Sequence, residues 1–366
     1  MNRVKQIHEQ GQSIWLDFID RQIMNSGGLQ KLIDEDGVRG ITSNPAIFEK
    51  AISSSQDYDE DIKALAQQGL SNEDIFYSVA IADIQRAADM FKPVYDDKVS
   101  GADGFVSLEV SPHLALDTEG TISQARDLWK RVDRPNVMIK IPGTQPGLAA
   151  IRQATSEGIN INVTLLFSLD RYQAVAEAYM AGLEERANAG QPIDEIASIA
   201  SFFLSRIDTL VDPVLVEKGL VDLKGEVAIA SAKGAYQIYK RLFSSDRFKA
   251  LIDKGATPQR LLWASTGSKD PSFSDVKYME ALIGPNTVDT VPMDTLEAFR
   301  DHGNPQAQLE TNADRAAQVL EKVKQAGIDL AALMQQLEEE GIDKFNRPYD
   351  KLMQAIDEQR KSLTPD

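Results

Sequence analysis

Residues 137–143 read VMIKIPG, a run of apolar side chains that is interrupted by Lys140 and closed by Pro142 and Gly143. A short, nearly continuous apolar run indicates a strand that is buried on both faces, as in a parallel sheet. A charge in such a strand is costly unless it is paired or neutralised. Desolvation favours the neutral form of a lysine, and a neutral amine can form a Schiff base with a carbonyl compound. The alternative is a lysine that extends its ammonium group to solvent, and this run alone favours that alternative.

Further runs of strand type recur along the chain, most of them separated by amphipathic helical patterns. The other predicted strands are 13–19, 38–45, 104–112, 159–167, 196–206, 261–267 and 287–292, of which 38–45 and 196–206 run into turns. The predicted helices are 3–12, 20–36, several long helices within 45–98, 121–132, 147–157, 169–189, about 207–218, 226–243 and the whole chain after Pro292, with N-caps at Ser71 and Ser168.

This alternation predicts an α/β protein with a parallel sheet, and eight such units predict a single (β/α)8 TIM-type barrel with extra helices at both termini. The competing fold is a doubly wound open sheet, but no Gly-x-Gly-x-x-Gly sequence follows an early strand. Without a linker rich in Gly, Pro or Ser, we expect residues 1–366 to form one domain, in which residues from about 293 to 366 are a C-terminal helical extension.

Composition narrows the possible functions. The net charge of −17 argues against a nucleic-acid surface. The chain has no cysteine, and its three histidines lack metal-ligand spacing, so we expect no metal site. The N-terminus has no apolar signal region, and no apolar run approaches the length of about 18 residues that a membrane helix needs. We therefore expect a cytoplasmic protein that binds neither membrane nor nucleic acid.

Polar side chains cluster towards the ends of the predicted strands. In a barrel of this type those ends converge on one mouth, where catalytic residues come from several strands. Each signal is weak alone: Asp17 suits a structural carboxylate, Glu109 a structural ion pair with Lys140, and Asn44 an ordinary turn before Pro45. The residues at seven strand ends are Asp17, Asn44, Glu109, Lys140, Asn162, Thr164, Ser201, Arg206 and Thr266.

These groups suit one kind of chemistry. A Schiff-base lysine needs carboxylates that move protons, and Asp17 and Glu109 are available for separate roles. Asn162 and Thr164 alternate at a period of two, so both point into the barrel. Arg206 can bind a phosphate in bidentate fashion. The loop Ser265–Lys269 follows the seventh strand, where barrels often bind phosphate, although an ordinary solvent loop remains an equal alternative.

Two stretches resemble the signatures of the transaldolase family. They are GITSNPAIF at residues 40–48 and IKIPGTQPGL at residues 139–148. The length of the chain and WASTGSK at residues 263–269 are similar to the longer bacterial branch of that family. The resemblance covers most of the chain. It implies an (α/β)8 barrel without cofactor or metal that acts on small phosphorylated sugars. The sequence does not fix the oligomeric state, and we expect a monomer or a homodimer.

The resemblance also implies roles for individual residues. Lys140 would form the Schiff base, Asp17 would be the acid/base for carbon–carbon cleavage, and Glu109 would act with a water held by Thr164. The other residues of the implied site would bind the substrate. These are Asn44 and Asn162 at the dihydroxyacetone unit, Ser201 at a hydroxyl, Arg206 at the phosphate, Ser268 and Lys269 as candidates for a second phosphate contact, and Thr42 and Phe203 beside them.

The implied reaction transfers a dihydroxyacetone unit from sedoheptulose 7-phosphate or fructose 6-phosphate to glyceraldehyde 3-phosphate or erythrose 4-phosphate, in the non-oxidative pentose phosphate pathway. One alternative is the related fructose-6-phosphate aldolase, which releases free dihydroxyacetone. Aldolases of that kind are shorter and typically have glutamine where Glu109 stands and tyrosine where Phe203 stands, so both residues favour the transferase. The other alternative is a catalytically silent scaffold, which would be expected to have lost Lys140 or a carboxylate.

Overall fold

The computed structural model describes residues 2–97 and 103–363. Its strands are β1 (Gln12–Asp17), β2 (Gly40–Thr42), β3 (Phe105–Glu109), β4 (Val137–Pro142), β5 (Ile161–Leu166), β6 (Ser198–Phe203), β7 (Arg260–Ala264) and β8 (Thr287–Val291). They pair in parallel in chain order, and β8 pairs with β1 to close the barrel. The prediction of a (β/α)8 barrel is therefore confirmed.

Helices surround the barrel and extend it at both ends. They are α1 (Arg3–His8), α2 (Arg21–Asn25), α3 (Gly28–Lys31), α4 (Pro45–Ser53), α5 (Asp59–Gln67), α6 (Asn72–Asp96), α7 (Thr118–Val132), α8 (Gly147–Ser156), α9 (Leu169–Asn188), α10 (Ser205–Glu217), α11 (Val227–Phe243), α12 (Asp246–Ile252), α13 (Lys277–Ala281), α14 (Met293–His302), α15 (Ala313–Gln325) and α16 (Leu330–Leu363). Both predicted N-caps are present, because Ser71 Oγ accepts from Asp74 N and Ser168 Oγ accepts from Arg171 N, each at 3.1 Å.

Boundaries near the N-terminus differ from the prediction. The first helix ends at His8 rather than residue 12, because Gly11 turns the chain with φ of 78° and β1 begins directly after it. The predicted helix 20–36 is interrupted at Gly27, where φ is 76°, and it finishes as a π-helical turn, Leu32–Asp36, before Gly37.

The long helices predicted over the stretch from residue 45 are present as three, α4, α5 and α6. The predicted last residue of that stretch, 98, lies outside the described residues, as do residues 364–366 of the helical C-terminus. The turns between these helices let α4 and α5 pack against α16.

The N-terminal end of the barrel is filled by a satisfied polar cluster. Asp103 accepts a hydrogen bond from Ser13 Oγ at 2.6 Å and from Trp15 Nε1 at 3.1 Å, and it forms an ion pair with Arg260 at 3.3 Å. The Arg260 guanidinium also donates to Ser13 Oγ at 2.7 Å. Because these groups satisfy one another, this end serves stability, and the open end of the barrel is the opposite one.

Helix α16 passes over that open end. It packs against α4, α5, α6 and α10 and touches β5, and its side chains Leu337, Leu352 and Ile356 are buried. The long C-terminal helix is therefore positioned to contribute side chains to the barrel mouth. Across residues 2–97 and 103–363, the structure contains no helix with the length and apolar character needed to cross a membrane.

Candidate active site

A cavity of about 260 Å³ opens at the C-terminal ends of the strands. Most of the residues singled out in the sequence line it, and they come from β1, β2, β4, β5, β6 and the segments that follow β2, β6 and β7. The lining members of that set are Asp17, Thr42, Asn44, Lys140, Thr164, Ser201, Phe203, Arg206 and Lys269. Glu109, Asn162 and Ser268 lie outside the lining.

Lys140 is buried in β4, with 6% of its surface exposed. Its Nζ donates to the Ser43 carbonyl oxygen at 2.6 Å and lies 3.4 Å from Glu109 Oε2. The expected strand lysine therefore does not extend to bulk solvent, and its amine faces an enclosed cavity. A buried amine that keeps one carbonyl and one carboxylate partner is placed to react with a carbonyl compound in that cavity.

Glu109 sits beside Lys140 because the ladder between β3 and β4 pairs these two residues. The side chain is buried, in a niche that adjoins the cavity and also includes Ser43 and Tyr77. Burial raises the pKa of Glu109, and the nearby Asp17 carboxylate raises it further, while Lys140 acts in the opposite sense. A carboxyl with a raised pKa exchanges protons closer to neutral pH, as a general acid or base must.

Asp17 lies at the end of β1 and reaches the cavity. Thr42 Oγ1 donates to Asp17 Oδ1 at 2.8 Å and is itself 2.7 Å from Thr290 Oγ1. Since the Thr42 proton is used on the carboxylate, Thr290 is the donor to Thr42. Burial raises the pKa of Asp17, with Lys140 and the Thr42 hydrogen bond opposing that shift. Thr42 therefore orients the carboxylate in addition to lining the cavity.

Asn162 and Thr164 share the inner face of β5, as the alternation predicted. Asn162 Nδ2 donates to Ser107 Oγ at 3.1 Å, and its Oδ1 accepts from Ser201 Oγ at 2.7 Å. Thr164 Oγ1 is buried and has no hydrogen-bond partner among the described residues. An unpaired buried hydroxyl at the cavity wall is suited to hold a water or a substrate group.

Strand β5 is distorted next to Thr164. The register between β5 and β6 shifts between Val163 and Leu166, and Leu165 adopts φ of 60°, which is unfavourable for a residue with a Cβ. Irregularities of this kind commonly re-aim a side chain beside an active site. Here the distortion directly follows Thr164 and lies beneath α16, where Gly341 approaches Leu165.

Asn44 is both a turn residue that caps a helix and a residue of the cavity lining. Its Oδ1 accepts from Ile47 N at 3.0 Å and caps α4, and the residue also lines the cavity. The cap uses the carbonyl oxygen of the side chain. The amide NH2 is therefore the part of Asn44 that can donate to a ligand.

Arg206 lies in the first turn of α10 rather than on the strand before it. Its guanidinium carbon is 5.1 Å from the centre of the Phe203 ring and 5.7 Å from that of Phe345. Nη1 is buried without a hydrogen-bond partner among the described residues, and burial lowers the pKa of the guanidinium. A phosphate group can accept hydrogen bonds from such a guanidinium, because its oxygens match the planar fork of N–H donors.

In the loop after β7, only some of the polar residues singled out in the sequence lie at the cavity. Lys269 is exposed and lines the cavity, whereas Ser268 Oγ donates to the Ser274 carbonyl oxygen within its own loop. Thr266, which the sequence placed among the strand-end polar residues, is buried and donates to the Thr290 carbonyl oxygen at 3.2 Å. Of the two candidates for a second phosphate contact, Lys269 lines the cavity and Ser268 does not.

The C-terminal helix contributes cavity residues that the sequence did not predict. Lys344 and Phe345 come from α16 and line the cavity, and the Phe345 ring centre lies 6.0 Å from Lys140 Nζ. In the sequence they belong to an acidic amphipathic helix far from any strand. The nearest available signal was Gly341 within that helix, since a glycine inside a helix often marks a close approach.

Known proteins are similar to this chain over nearly its whole length. Residues 14–356 match the family model described as Transaldolase/Fructose-6-phosphate aldolase. The chain is 49% identical over 377 residues to a protein of Trichodesmium erythraeum named Transaldolase, with 100% of this chain and 99% of the relative covered. It is 48% identical over 378 residues to Transaldolase 2 of Nostoc punctiforme, with the same coverage. It is also 48% identical over 360 residues to the Transaldolase of Saccharopolyspora erythraea, with 98% of both chains covered.

Proposed function

The chain belongs to the transaldolase and fructose-6-phosphate aldolase family, and on that premise we propose that it is a transaldolase whose Schiff base forms on Lys140. It transfers a dihydroxyacetone unit from sedoheptulose 7-phosphate or fructose 6-phosphate to glyceraldehyde 3-phosphate or erythrose 4-phosphate, in the non-oxidative pentose phosphate pathway. The observation that supports this most is the buried Lys140 amine at the cavity, 3.4 Å from Glu109 Oε2.

The first step is imine formation. The Lys140 nitrogen attacks the ketone carbon of the donor sugar, and the adduct loses its oxygen as water. Glu109 moves protons in this step through a water held by Thr164, whose hydroxyl lacks a protein partner among the described residues. The raised pKa of Glu109 suits a group that must both give and take a proton.

The second step is carbon–carbon cleavage. Asp17 takes the proton of the C4 hydroxyl, the C3–C4 bond breaks, and its electron pair is stabilised by the iminium as an enamine on Lys140. The aldehyde half leaves with the phosphate. An acceptor aldehyde then enters, the enamine carbon attacks it, and Asp17 returns the proton. Hydrolysis of the new imine releases the product ketose.

Asn44 and Ser201 of the lining bind the dihydroxyacetone unit and its hydroxyls, and Thr42 and Phe203 complete the wall around them. Asn162, which lies behind the lining and accepts from Ser201 Oγ, also binds the dihydroxyacetone unit in this proposal. Arg206 binds the phosphate, assisted by Lys269. Ser268 takes part only after its hydroxyl leaves the Ser274 carbonyl oxygen that it contacts in the structure.

The alternative within the family is an aldolase that releases free dihydroxyacetone. Glu109 and Phe203 stand where that group typically has glutamine and tyrosine, and the relatives named above carry the name transaldolase. A coupled assay of fructose 6-phosphate with and without erythrose 4-phosphate separates the two reactions. Without acceptor, a transferase releases at most one equivalent of glyceraldehyde 3-phosphate per enzyme, and continuous release that requires the acceptor supports the transferase. Continuous release without acceptor supports the aldolase.

The proposal extends to the setting of the reaction. We propose that the protein works in the cytoplasm without a metal or cofactor, as a monomer or homodimer, and that it interacts with neither nucleic acid nor membrane. Its net charge of −17 supports the absence of a nucleic-acid partner. We also propose that residues 1–366 form one domain in which α14, α15 and α16 are the C-terminal extension.

A further inference from the structure

Helix α16 is fixed across the cavity at several points. Its Glu338 pairs with Arg171 at 3.7 Å, and Arg171 in turn donates to the Gly143 carbonyl oxygen, just after β4, at 3.2 Å. Further along the helix, Tyr349 donates to Glu73 of α6 at 2.8 Å. These contacts lie on either side of residues 344 and 345. The part of α16 that reaches the cavity is therefore held in place from both directions.

The charge of the cavity wall contrasts with that of the whole chain. Among the described residues, four basic ones, Lys140, Arg206, Lys269 and Lys344, line the cavity together with a single acidic one, Asp17. The chain as a whole carries a net charge of −17. Lys140 pairs with Glu109 of the adjoining niche, so the wall keeps three further cations and the Asp17 carboxylate, an excess of two positive charges. A phosphate group carries nearly two negative charges and matches that excess.

Lys344 is the cation whose partner is most easily exchanged. Its Nζ contacts Glu340 Oε2 at 2.9 Å, one turn earlier on the same helix, and the side chains are 50% and 40% exposed. An exposed pair of this kind contributes little to stability, so the ammonium can turn to a bound anion at small cost. Lys344 and Arg206 line the same cavity, and the ring of Phe345, the residue after Lys344, lies 5.7 Å from the Arg206 guanidinium carbon.

We propose that Lys344 binds the sugar phosphate together with Arg206, which makes the C-terminal helix part of the substrate site. This inference rests on the proposed function. Cleavage between C3 and C4 leaves the phosphate on the aldehyde half of every substrate of that reaction. Lys344 therefore contributes to the binding of each donor and each acceptor, and it contributes little to an acceptor without phosphate.

The test compares erythrose 4-phosphate with erythrose as acceptor, at saturating fructose 6-phosphate. Lys344→Gln is expected to raise the KM for erythrose 4-phosphate about tenfold, the size of one charge-assisted contact, and to change the KM for erythrose less than about twofold. Inorganic phosphate should inhibit competitively, with an inhibition constant that rises in parallel. Lys344→Arg keeps the positive charge and should restore most of the affinity.

Lys361→Gln is the matched control. Lys361 also lies on α16, and it also pairs with an acid four residues earlier, Asp357, but it does not line the cavity. Equal KM values for Lys344→Gln and Lys361→Gln with erythrose 4-phosphate would overturn the inference about Lys344. Failure of the proposed function is distinguishable, because the unmodified protein would then show no transfer to either acceptor.

Discussion

Lys140 Nζ lies 3.4 Å from Glu109 Oε2, and the two buried side chains are held side by side by the pairing of β3 with β4. A buried ion pair is weak evidence for stability, because the desolvation of two charges offsets much of their attraction. Its position at the cavity, with the Lys140 amine also bound to the Ser43 carbonyl oxygen, has a chemical explanation instead. The proposed imine formation on Lys140 requires proton transfer, and the Glu109 carboxyl lies beside the amine.

Glu109→Gln keeps the shape of the side chain and removes its proton exchange. We expect kcat to fall about 100- to 10 000-fold, the usual contribution of a general acid–base group. Rapid-quench measurement of the imine with fructose 6-phosphate should show that imine formation and hydrolysis are the slowed steps. A variant with unaltered kcat would remove Glu109 from the mechanism.

Asp17→Ala should separate imine formation from cleavage. Imine formation does not need the C4 hydroxyl proton, so borohydride should still trap the donor sugar on the variant, while turnover falls about 100- to 10 000-fold. Asp17→Asn, which keeps the size of the side chain, should behave in the same way. Normal turnover in either variant would contradict the role of Asp17.

Asp289 predicts a pH dependence of stability that is independent of catalysis. The side chain is fully buried in β8, and neither carboxyl oxygen has a hydrogen-bond partner among the described residues. Burial raises the pKa of Asp289 to about 8, with an opposing influence from the Thr266 hydroxyl. The folded protein thus holds a proton that the unfolded chain releases near pH 4, so this group costs stability as pH rises from about 4 to about 8.

In Asp289→Asn that cost is absent. The difference in the free energy of unfolding, variant minus unmodified protein, should grow by up to about 1.4 kcal/mol per pH unit between about pH 4 and about pH 8. Above about pH 8 it should stay constant. Urea unfolding of both proteins at a series of pH values measures the difference. Parallel stability curves would show that Asp289 does not titrate in this range.

Gly341 lets α16 approach β5 closely, and we expect catalysis to depend on that approach. A Cβ at this position would lie 3.0 Å from Leu165 Cδ2 and 3.6 Å from the Phe167 ring. Gly341→Leu therefore pushes the helix away and moves Phe345, one turn further on, relative to Lys140 and Arg206. Misplacement on this scale should lower kcat/KM for fructose 6-phosphate about ten- to 100-fold.

Gly341→Ala is the graded control for that prediction, since a methyl group needs only a small adjustment of Leu165. Its kcat/KM should stay closer to that of the unmodified protein. If Gly341→Leu retains full kcat/KM, the position of α16 does not matter for the site.

Much of the barrel was predictable from the sequence, because buried parallel strands have a recognisable pattern: short apolar runs with Gly, Pro or Asn at their ends. The caps at Ser71 and Ser168 follow from local chemistry and are also present. The interruption at Gly27 was harder to predict, since an isolated glycine is compatible with a continuous helix and only the local packing selects its left-handed conformation.

The site was predictable where a side chain sits at the end of a strand. Lys140, Asp17 and Thr164 converge because strand order and register bring strand ends together. The presence of Lys344 and Phe345 in the cavity was not predictable. The hydrophobic periodicity of α16 shows that it is amphipathic, but it does not indicate which part of the barrel the helix packs against. Ser268 shows the converse, since a loop hydroxyl near the mouth satisfies its own backbone instead.

The most direct test of the account is borohydride reduction in the presence of fructose 6-phosphate, followed by proteolysis and mass spectrometry. The account predicts a single covalent adduct of the dihydroxyacetone unit or the intact sugar on Lys140, and none in Lys140→Ala. An unmodified Lys140, or an adduct on another lysine of the cavity such as Lys269 or Lys344, would contradict it.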